Sequence, residues 1–210
     1  IFDIASITKV IATTSGIMKL YDQGLLKLKS PVVDYIPKFK GTKKKYKAIK
    51  SKITIHDLLT HTSGLPAFKA YHLIDESIEK KIDSIYNTVP IASPGDTIIY
   101  SDIGAIILGK IVETISGISL DQYVDSLIFL PLGMKTTTYN PKLEKRHRIV
   151  PTEIDDFGLL IKGVVHDENA RGLNGVAGHA GLFSTAKDLS LFSQMMLNEG
   201  IYGWTRIFKS

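Results

Sequence analysis

The chain has 210 residues, of which 44% are hydrophobic and 22% charged, as in a globular protein with a substantial core. It contains no cysteine, which excludes a disulfide framework, thiol catalysis and thiolate metal sites. No apolar run approaches the length of a transmembrane helix. The chain begins on Ile1 rather than Met, so we expect a fragment or processed form whose natural N-terminus and targeting signal are missing.

The first helical pattern begins at a serine and a lysine three residues apart. Apolar residues recur at steps of three and four from Ile7 to Tyr21, which predicts a helix that ends near Gly24. Ser6 would lie in its first turn, with Lys9 one turn later on the same face. An ammonium group and the positive end of the helix dipole would then activate the serine hydroxyl as a nucleophile. Taken alone, this spacing is more often a helix cap with a surface lysine.

The positive charge of the chain is concentrated in one segment. Eight lysines and no acidic residue lie between Lys38 and Lys52, and the net charge of the chain is +5. Such a segment could hold an anionic polymer such as nucleic acid or a cell-wall polyanion. We favour a solvated loop, because neither interleaved aromatic residues nor a nucleic-acid-binding module accompanies the lysines.

Capping residues and apolar periodicity predict five further helices. In chain order they span about residues 53–61, 75–86, 103–115, 120–129 and 186–197. Thr54 is the predicted cap of the first, and Thr185 or Ser184 that of the last. Residues 135–165 have no sustained period and are predicted as a loop with a short strand, and residues 181–185 as a strand at a sheet edge.

Four motifs follow one another along the chain. They are Ser6-x-x-Lys9, Leu59-Thr60-His61-Thr62-Ser63-Gly64-Leu65, Tyr100-Ser101-Asp102 and His179-Ala180-Gly181. Together they resemble the serine β-lactamase and penicillin-binding-protein superfamily, and within it the class C-like branch of esterases, D-aminopeptidases and cell-wall amidases.

This resemblance implies an α+β, two-lobed β-lactamase/transpeptidase-like fold. Residues 1–210 would form a single domain, with a helical lobe of roughly 20–165 inserted between the nucleophile helix and the His-Ala-Gly strand. Family members carry strands before the first motif and further strands and a helix at their end. We therefore expect a helix-rich chain in which the main antiparallel sheet is incomplete.

A second, more particular resemblance covers Val165–Ala170 and Gly178–Thr185. These stretches are similar to bacterial members that accompany, or are fused to, β-N-acetylhexosaminidases in muropeptide recycling and that cut the bond between N-acetylmuramic acid and L-alanine. The resemblance implies a periplasmic or extracellular serine hydrolase that cleaves amide bonds in peptidoglycan-derived muropeptides. The alternatives are a small-acyl esterase, a D-amino-acid peptidase of the same fold, and a non-catalytic module that binds wall fragments.

The resemblance also assigns roles to single residues. Ser6 would attack the carbonyl and form an acyl-enzyme, and Tyr100, facing Lys9, would carry protons between serine, leaving group and water. A free phenol is a poor base at neutral pH, and Lys9 and His179 would favour its ionised form. Backbone N–H groups of Ser6 and Leu182 would form the oxyanion hole. Substrate contacts are expected from His166, Asn169, Ala180 and Gly181.

Two departures from the penicillin-binding pattern bear on the substrate. Asp102 stands where the commoner motif has asparagine, and its carboxylate would keep Lys9 protonated and so shift the role of base to Tyr100. His179 and Ala180 replace a lysine and a hydroxyl residue that hold the carboxylate of β-lactams, so we expect poor penicillin hydrolysis.

The remaining histidines give no metal site. His56 and His61 are five residues apart, which is the wrong spacing for one helix face. We interpret these two, with His72 and His147, as structural or surface residues, and no metal, cofactor or nucleic acid is implied.

Overall fold

The computed structural model describes residues 1–155 and 157–209. Within these residues the chain forms ten α-helices: α1 (Ser15–Asp22), α2 (Val32–Tyr35), α3 (Lys44–Lys50), α4 (Ile55–Leu59), α5 (Ile78–Tyr86), α6 (Asp102–Ser116), α7 (Leu120–Val124), α8 (Leu130–Leu132), α9 (Glu168–Gly172) and α10 (Ala186–Leu197). Seven short strands accompany them: β1 (Phe2–Asp3), β2 (Thr138–Tyr139), β3 (Glu153–Ile154), β4 (Leu160–Ile161), β5 (Leu182–Ser184), β6 (Ile201–Tyr202) and β7 (Thr205–Arg206). The prediction of a helix-rich α+β chain is confirmed.

The predicted nucleophile helix is three consecutive segments. A 3₁₀ turn covers Ala5–Ile7, a π-helical segment covers Lys9–Thr14, and α1 completes the helix at Asp22. In the π segment the helix is wound more widely than in an α-helix, a feature that is frequent at functional sites. The helix therefore exists as predicted, but its first two turns are not regular.

Strand β5 links the start of the chain to its last third. Within the described residues it lies between β1 and β2 in an antiparallel sheet, where Asp3 pairs with Phe183 and Tyr139 with Leu182. The strand was predicted at a sheet edge, which is wrong, since both of its sides are paired. This pairing brings the His-Ala-Gly motif, just before β5, next to Ser6, just after β1.

Helix α6 lies at the centre of the helical part, and most of its residues are buried. The backbone of Gly178 packs directly against it, since a Cβ on Gly178 would come within 2.0 Å of the carbonyl oxygen of Ala105. Thr13 Oγ1 donates to the Gly178 carbonyl at 2.6 Å. These two contacts fix the third motif between α6 and the nucleophile helix.

The lysine-rich segment is helical, which corrects the prediction of a loop. Pro37–Lys40 forms a 3₁₀ turn and residues 44–50 form α3. Seven of its eight lysines are exposed or half-exposed, and four of them form the surface that we call the basic face: Lys43, Lys44, Lys45 and Lys47. Lys50, by contrast, is only 2% exposed and belongs to the core.

The 135–165 region contains more structure than one strand. Besides β2 it holds a 3₁₀ helix over Leu143–Arg148 and a β3–β4 hairpin, while Asp156 lies outside the described residues.

In the part of the chain that the structure describes, no single helix is long and apolar enough to cross a membrane. One pair of helices, Asp102–Ser116 with Leu120–Leu132, is long and apolar enough when taken together, but it is bent by 74°.

Candidate active site

Ser6 is presented by a strained backbone turn. Ala5, directly before it, has φ of 44°, a left-handed conformation that costs a residue with a side chain about 1–3 kcal/mol. The carboxylate of Asp3 accepts the Ala5 N–H at 2.9 Å and holds this turn. Ser6 itself is exposed. The hydroxyl therefore stands at the surface, at the start of a helix whose first N–H groups have no partner within the helix.

Lys9 joins three of the predicted motifs. Its buried Nζ donates to Ser6 Oγ at 2.8 Å and to the carbonyl oxygen of His179 at 3.2 Å. It also forms an ion pair with Asp102 Oδ1 at 2.7 Å. An ammonium group has three hydrogens and no lone pair, so these three acceptors satisfy it completely. In this state Lys9 can stabilise negative charge on Ser6 Oγ but cannot itself accept a proton.

Tyr100 lies over the same ammonium group. Lys9 Nζ is 4.8 Å from the centroid of its ring, within the range of a cation–π contact. The tyrosine ring is 54% exposed, so substrate and water can reach it. Its position is fixed by the start of α6, where Ser101 Oγ accepts the Gly104 N–H at 3.1 Å as the helix cap. The structure thus brings Ser6, Lys9, Tyr100 and Asp102 together.

His61 also contacts this group, whereas the sequence pattern predicted a structural or surface residue. Its ring centroid is 4.7 Å from that of Tyr100, and its Nδ1 accepts the Ser101 N–H at 3.1 Å. Burial and then the charge of Lys9 lower the pKa of His61, against the opposing effect of Asp102. The Leu59–Leu65 motif was one of the four that carried the resemblance, and this was the signal that could have identified His61.

His179 faces away from solvent. It is 1% exposed, and its Nε2 lies 2.7 Å from Asp167 Oδ1. Its Nδ1 has no hydrogen-bond partner among the described residues. Burial alone would raise the pKa of Asp167, but its hydrogen bond and charge interaction with His179, the Ala170 N–H and the charge of Lys9 together lower it. The contribution of His179 to the Ser6 group is its backbone carbonyl, and its ring is committed to Asp167.

The predicted oxyanion hole is only partly available. Ser6 N–H lies in the first turn of the nucleophile helix, where backbone donors are free. Leu182 N–H, however, donates to Thr8 Oγ1 at 3.2 Å, and both residues are buried. The role of Leu182 in an oxyanion hole stays a prediction, and it requires that this N–H leaves Thr8 to bind the oxyanion.

The four residues expected to contact substrate differ in exposure and in their contacts. Asn169 is 3% exposed and its amide group binds the backbone of His72 and of Lys69, so it joins two loops. His166 is exposed, with Nε2 2.6 Å from Glu153 Oε2. Ala180 and Gly181 are buried beside β5, and Gly181 has φ of 115°, which only glycine adopts readily. Of these, Asn169 is placed as a structural residue.

No group of three or more histidine, aspartate or glutamate side chains is suited to a metal ion within residues 1–155 and 157–209. The side chains that meet at this site offer the hydroxyl of Ser6, the ammonium group of Lys9 and the phenol of Tyr100. A serine hydroxyl in contact with a lysine, with a titratable side chain beside it, is the arrangement required for nucleophilic catalysis through an acyl-enzyme.

Comparisons with known proteins agree with this arrangement. A family model described as Beta-lactamase matches residues 1–207. A protein of Salmonella heidelberg named "Putative D-alanyl-D-alanine carboxypeptidase" is 36% identical, over 99% of this chain and 53% of its own length. The structure of an octameric penicillin-binding protein homologue from Pyrococcus abyssi superimposes with a TM-score of 0.74 at 28% identity, over 99% of this chain and 46% of that one. A Yersinia pestis beta-lactamase/D-alanine carboxypeptidase gives 0.69 at 25% identity, over 92% and 53%. The chain thus spans about half the length of these relatives.

Proposed function

Since the chain belongs to the beta-lactamase family, we propose that its full-length protein is a serine hydrolase that works through an acyl-enzyme on Ser6 and cleaves amide bonds in peptidoglycan-derived muropeptides. The observation that carries the proposal is the convergence on the ammonium group of Lys9 of three motifs that are spread over 170 residues of the chain. A helix cap with a surface lysine would not bury that lysine or give it three acceptors.

The proposed mechanism follows from which side chains can donate or accept a proton. Lys9 is paired with Asp102 and hydrogen-bonded to Ser6 Oγ, so its ammonium form would stabilise the Ser6 alkoxide by charge. Tyr100 is the neighbouring side chain that can release and regain a proton, and its ring lies against the Lys9 ammonium group. Tyr100 would take the hydroxyl proton as Ser6 attacks the carbonyl. It would then give that proton to the leaving amine, and activate the water that hydrolyses the ester.

The third motif supports an amide without a neighbouring free carboxylate as the substrate. A lysine at the position of His179 would offer a cation to a terminal carboxylate, such as that of D-alanyl-D-alanine. The imidazole of His179 is instead buried against Asp167, which adds negative charge to this side of the site. A carboxylate directly beside the scissile bond would be repelled. The bond between the lactyl group of N-acetylmuramic acid and L-alanine has a peptide on that side, so its carboxylate need not lie next to the reacting carbonyl.

The deciding experiment compares three substrates of the full-length protein. These are an N-acetylmuramyl-L-alanine peptide, a peptide that ends in D-alanyl-D-alanine, and a p-nitrophenyl ester of a short acid, with Ser6→Ala as the control. We expect release of N-acetylmuramic acid, dependent on Ser6, and little release of D-alanine. Rapid ester hydrolysis with an intact muropeptide would favour the small-acyl esterase instead, and D-alanine release the D-amino-acid peptidase. Failure of a fluorophosphonate to label Ser6 would favour the non-catalytic binding module.

The cellular location of the activity and its partner enzyme also belong to this proposal. The Salmonella relative is named for a peptidoglycan-processing activity, which supports action in the cell envelope. A β-N-acetylhexosaminidase, associated or fused, would supply muropeptides whose glycan has already been cut. Co-purification from the native source, or a hexosaminidase domain in the full-length protein, would test this partner.

A further inference from the structure

His61 holds the backbone on both sides of Tyr100. Its carbonyl oxygen accepts the N–H of Ile99 at 2.8 Å, and its Nδ1 accepts the N–H of Ser101 at 3.1 Å. Between these two bonds the imidazole lies against the tyrosine ring, with centroids 4.7 Å apart and planes inclined by 46°. One residue therefore fixes the position of the tyrosine in three ways.

The conformation of His61 is itself unusual. Its φ is 59°, a left-handed value that residues other than glycine adopt at a cost, and Asn, Asp and His are those that tolerate it best. Helix α4 has ended two residues earlier, at Leu59. The left-handed turn directs both the carbonyl oxygen and the ring of His61 toward the same short segment, Ile99–Ser101.

The hydrogen bond from Ser101 requires one form of the imidazole. An N–H that points at Nδ1 needs a lone pair there, so the ring must be neutral with its hydrogen on Nε2. Protonation would place a second N–H opposite that of Ser101 and break the bond. Two charged groups act on the ring from neighbouring elements: Lys9, whose charge disfavours protonation, and Asp102, whose charge favours it.

We propose that His61 is a positioning residue for Tyr100: its neutral form holds the segment Ile99–Ser101 so that the phenol stays over the ammonium of Lys9, and its protonation releases that segment. This inference rests on the proposed function, in which Tyr100 carries the proton. It predicts that the reaction depends on the titration of His61, which acts through the position of Tyr100. Since Tyr100 transfers protons, the loss should appear in kcat more than in KM.

Two variants separate the hydrogen bond from the ring contact. His61→Asn keeps an acceptor near the position of Nδ1, tolerates the left-handed backbone, and does not titrate. His61→Phe keeps a ring against Tyr100 but offers no acceptor. The matched control is His56→Asn, because His56 is an exposed histidine on α4 with no contact to Tyr100 in the described structure. Circular dichroism establishes that each variant is folded.

The first readout is hydrolysis of a p-nitrophenyl ester by the full-length protein from pH 5 to 8. In wild type and His56→Asn, kcat should fall as the pH drops below the ordinary histidine value of about 6.5. His61→Asn should lose this decrease, and His61→Phe should lower kcat at pH 7.5 by about 10- to 100-fold, the scale of a displaced catalytic group. An unchanged decrease in His61→Asn, or wild-type kcat in His61→Phe, would overturn the proposal.

The second readout does not depend on activity. In two-dimensional amide NMR spectra, the Ser101 signal should shift with pH as His61 titrates, and this shift should be absent in His61→Asn and present in His56→Asn. A Ser101 signal that does not follow His61 would refute the hydrogen bond, whatever the enzyme does. If Ser6 were not labelled by a fluorophosphonate while Ser101 still followed His61, the proposed hydrolase function would be wrong and the contact described here would stand.

Discussion

Lys50 has an unusual environment for a residue in a lysine-rich segment. Its side chain is buried, and its Nζ donates to the carbonyl oxygens of Tyr86 and, at 3.1 Å, of Thr88. These carbonyls lie at the C-terminal end of α5, where backbone acceptors have no partner within the helix and the helix dipole is negative. The ring of Phe39 lies 4.4 Å from the same Nζ. Lys50 is therefore a buried donor that satisfies backbone acceptors at the C-terminal end of α5.

Burial lowers the pKa of Lys50 from 10.5 to about 8. A pKa that is lower in the folded than in the unfolded protein means that the unfolded chain binds more protons between these two values. Stability must then rise with pH in that window, and it gains nothing further from Lys50 below pH 8 or above pH 10.5. At 1.36 kcal/mol per pKa unit the full gain is about 3 kcal/mol, of which about 2 kcal/mol falls between pH 7.5 and 9.5.

The assay is urea unfolding of the full-length protein at these two pH values, followed by circular dichroism. Other groups also titrate in this range, so the quantity of interest is the difference between wild type and Lys50→Met. The gain of about 2 kcal/mol should be present in wild type and absent in Lys50→Met. Lys52→Met, an exposed lysine two residues later, should keep the gain. Parallel pH dependence in wild type and Lys50→Met would refute the burial of a charged group here.

Two other predictions concern substrate and rate. Replacing the four lysines of the basic face by glutamine should lower kcat/KM for muropeptides at low salt and leave kcat nearly unchanged. The reason is that the lysines would speed the encounter with an anionic substrate, an effect that salt screens. An unchanged kcat/KM, or an equal loss with a neutral ester, would mean that the face is only a solvated surface. Thr8→Val should destabilise the protein by about 1–3 kcal/mol, since it leaves the buried Leu182 N–H without an acceptor, and should speed phosphonylation of Ser6. Thr8→Ser, which keeps the acceptor, should do neither; equal stability of the two variants would contradict the hydrogen bond.

The basic face is linked to the candidate site through a groove and a backbone hydrogen bond. Lys45 and Lys52 line a groove of about 570 Å³, whose other wall includes Pro94. The N–H of Gly95, directly after Pro94, donates to the carbonyl oxygen of Thr62 at 2.8 Å. The groove wall is thus bonded to the motif that contains His61. The basic face is therefore joined to the site by a short stretch of chain.

Local features of the sequence predicted most of the helices and their ends. Thr54 accepts the Asp57 N–H while Asp57 accepts the Thr54 N–H, so the predicted cap of α4 is a complete capping box. Thr185, one of the two residues considered, caps α10 over the predicted bounds. Such caps depend on residues within four positions of one another. A sequence pattern contains all of that information.

Contacts between distant segments account for what the sequence did not show. A lysine run predicts solvent exposure because most lysines are exposed, and nothing near Lys50 indicates that the end of α5, 36 residues later, needs a donor. The interpretation of His61 as structural or surface had the same cause, since Tyr100 follows it by 39 positions. The resemblance brought the four motifs together, but only the structure shows which atoms of each motif meet.

One of the two backbone donors expected to bind an oxyanion, the Leu182 N–H, is bound to the hydroxyl of Thr8. Ser6 N–H is free at the start of its helix, whereas Leu182 N–H is bound to the Thr8 hydroxyl at 3.2 Å, a long and neutral hydrogen bond. An oxyanion is a stronger acceptor than a hydroxyl, so the developing charge on the substrate can compete for this donor. In Thr8→Val the competing acceptor is gone, and the donor is free before the substrate arrives. If Leu182 is the second oxyanion donor, labelling of Ser6 should therefore be faster in Thr8→Val than in wild type, whereas a fall of about 10²–10³-fold would mean that Thr8 holds that donor in place.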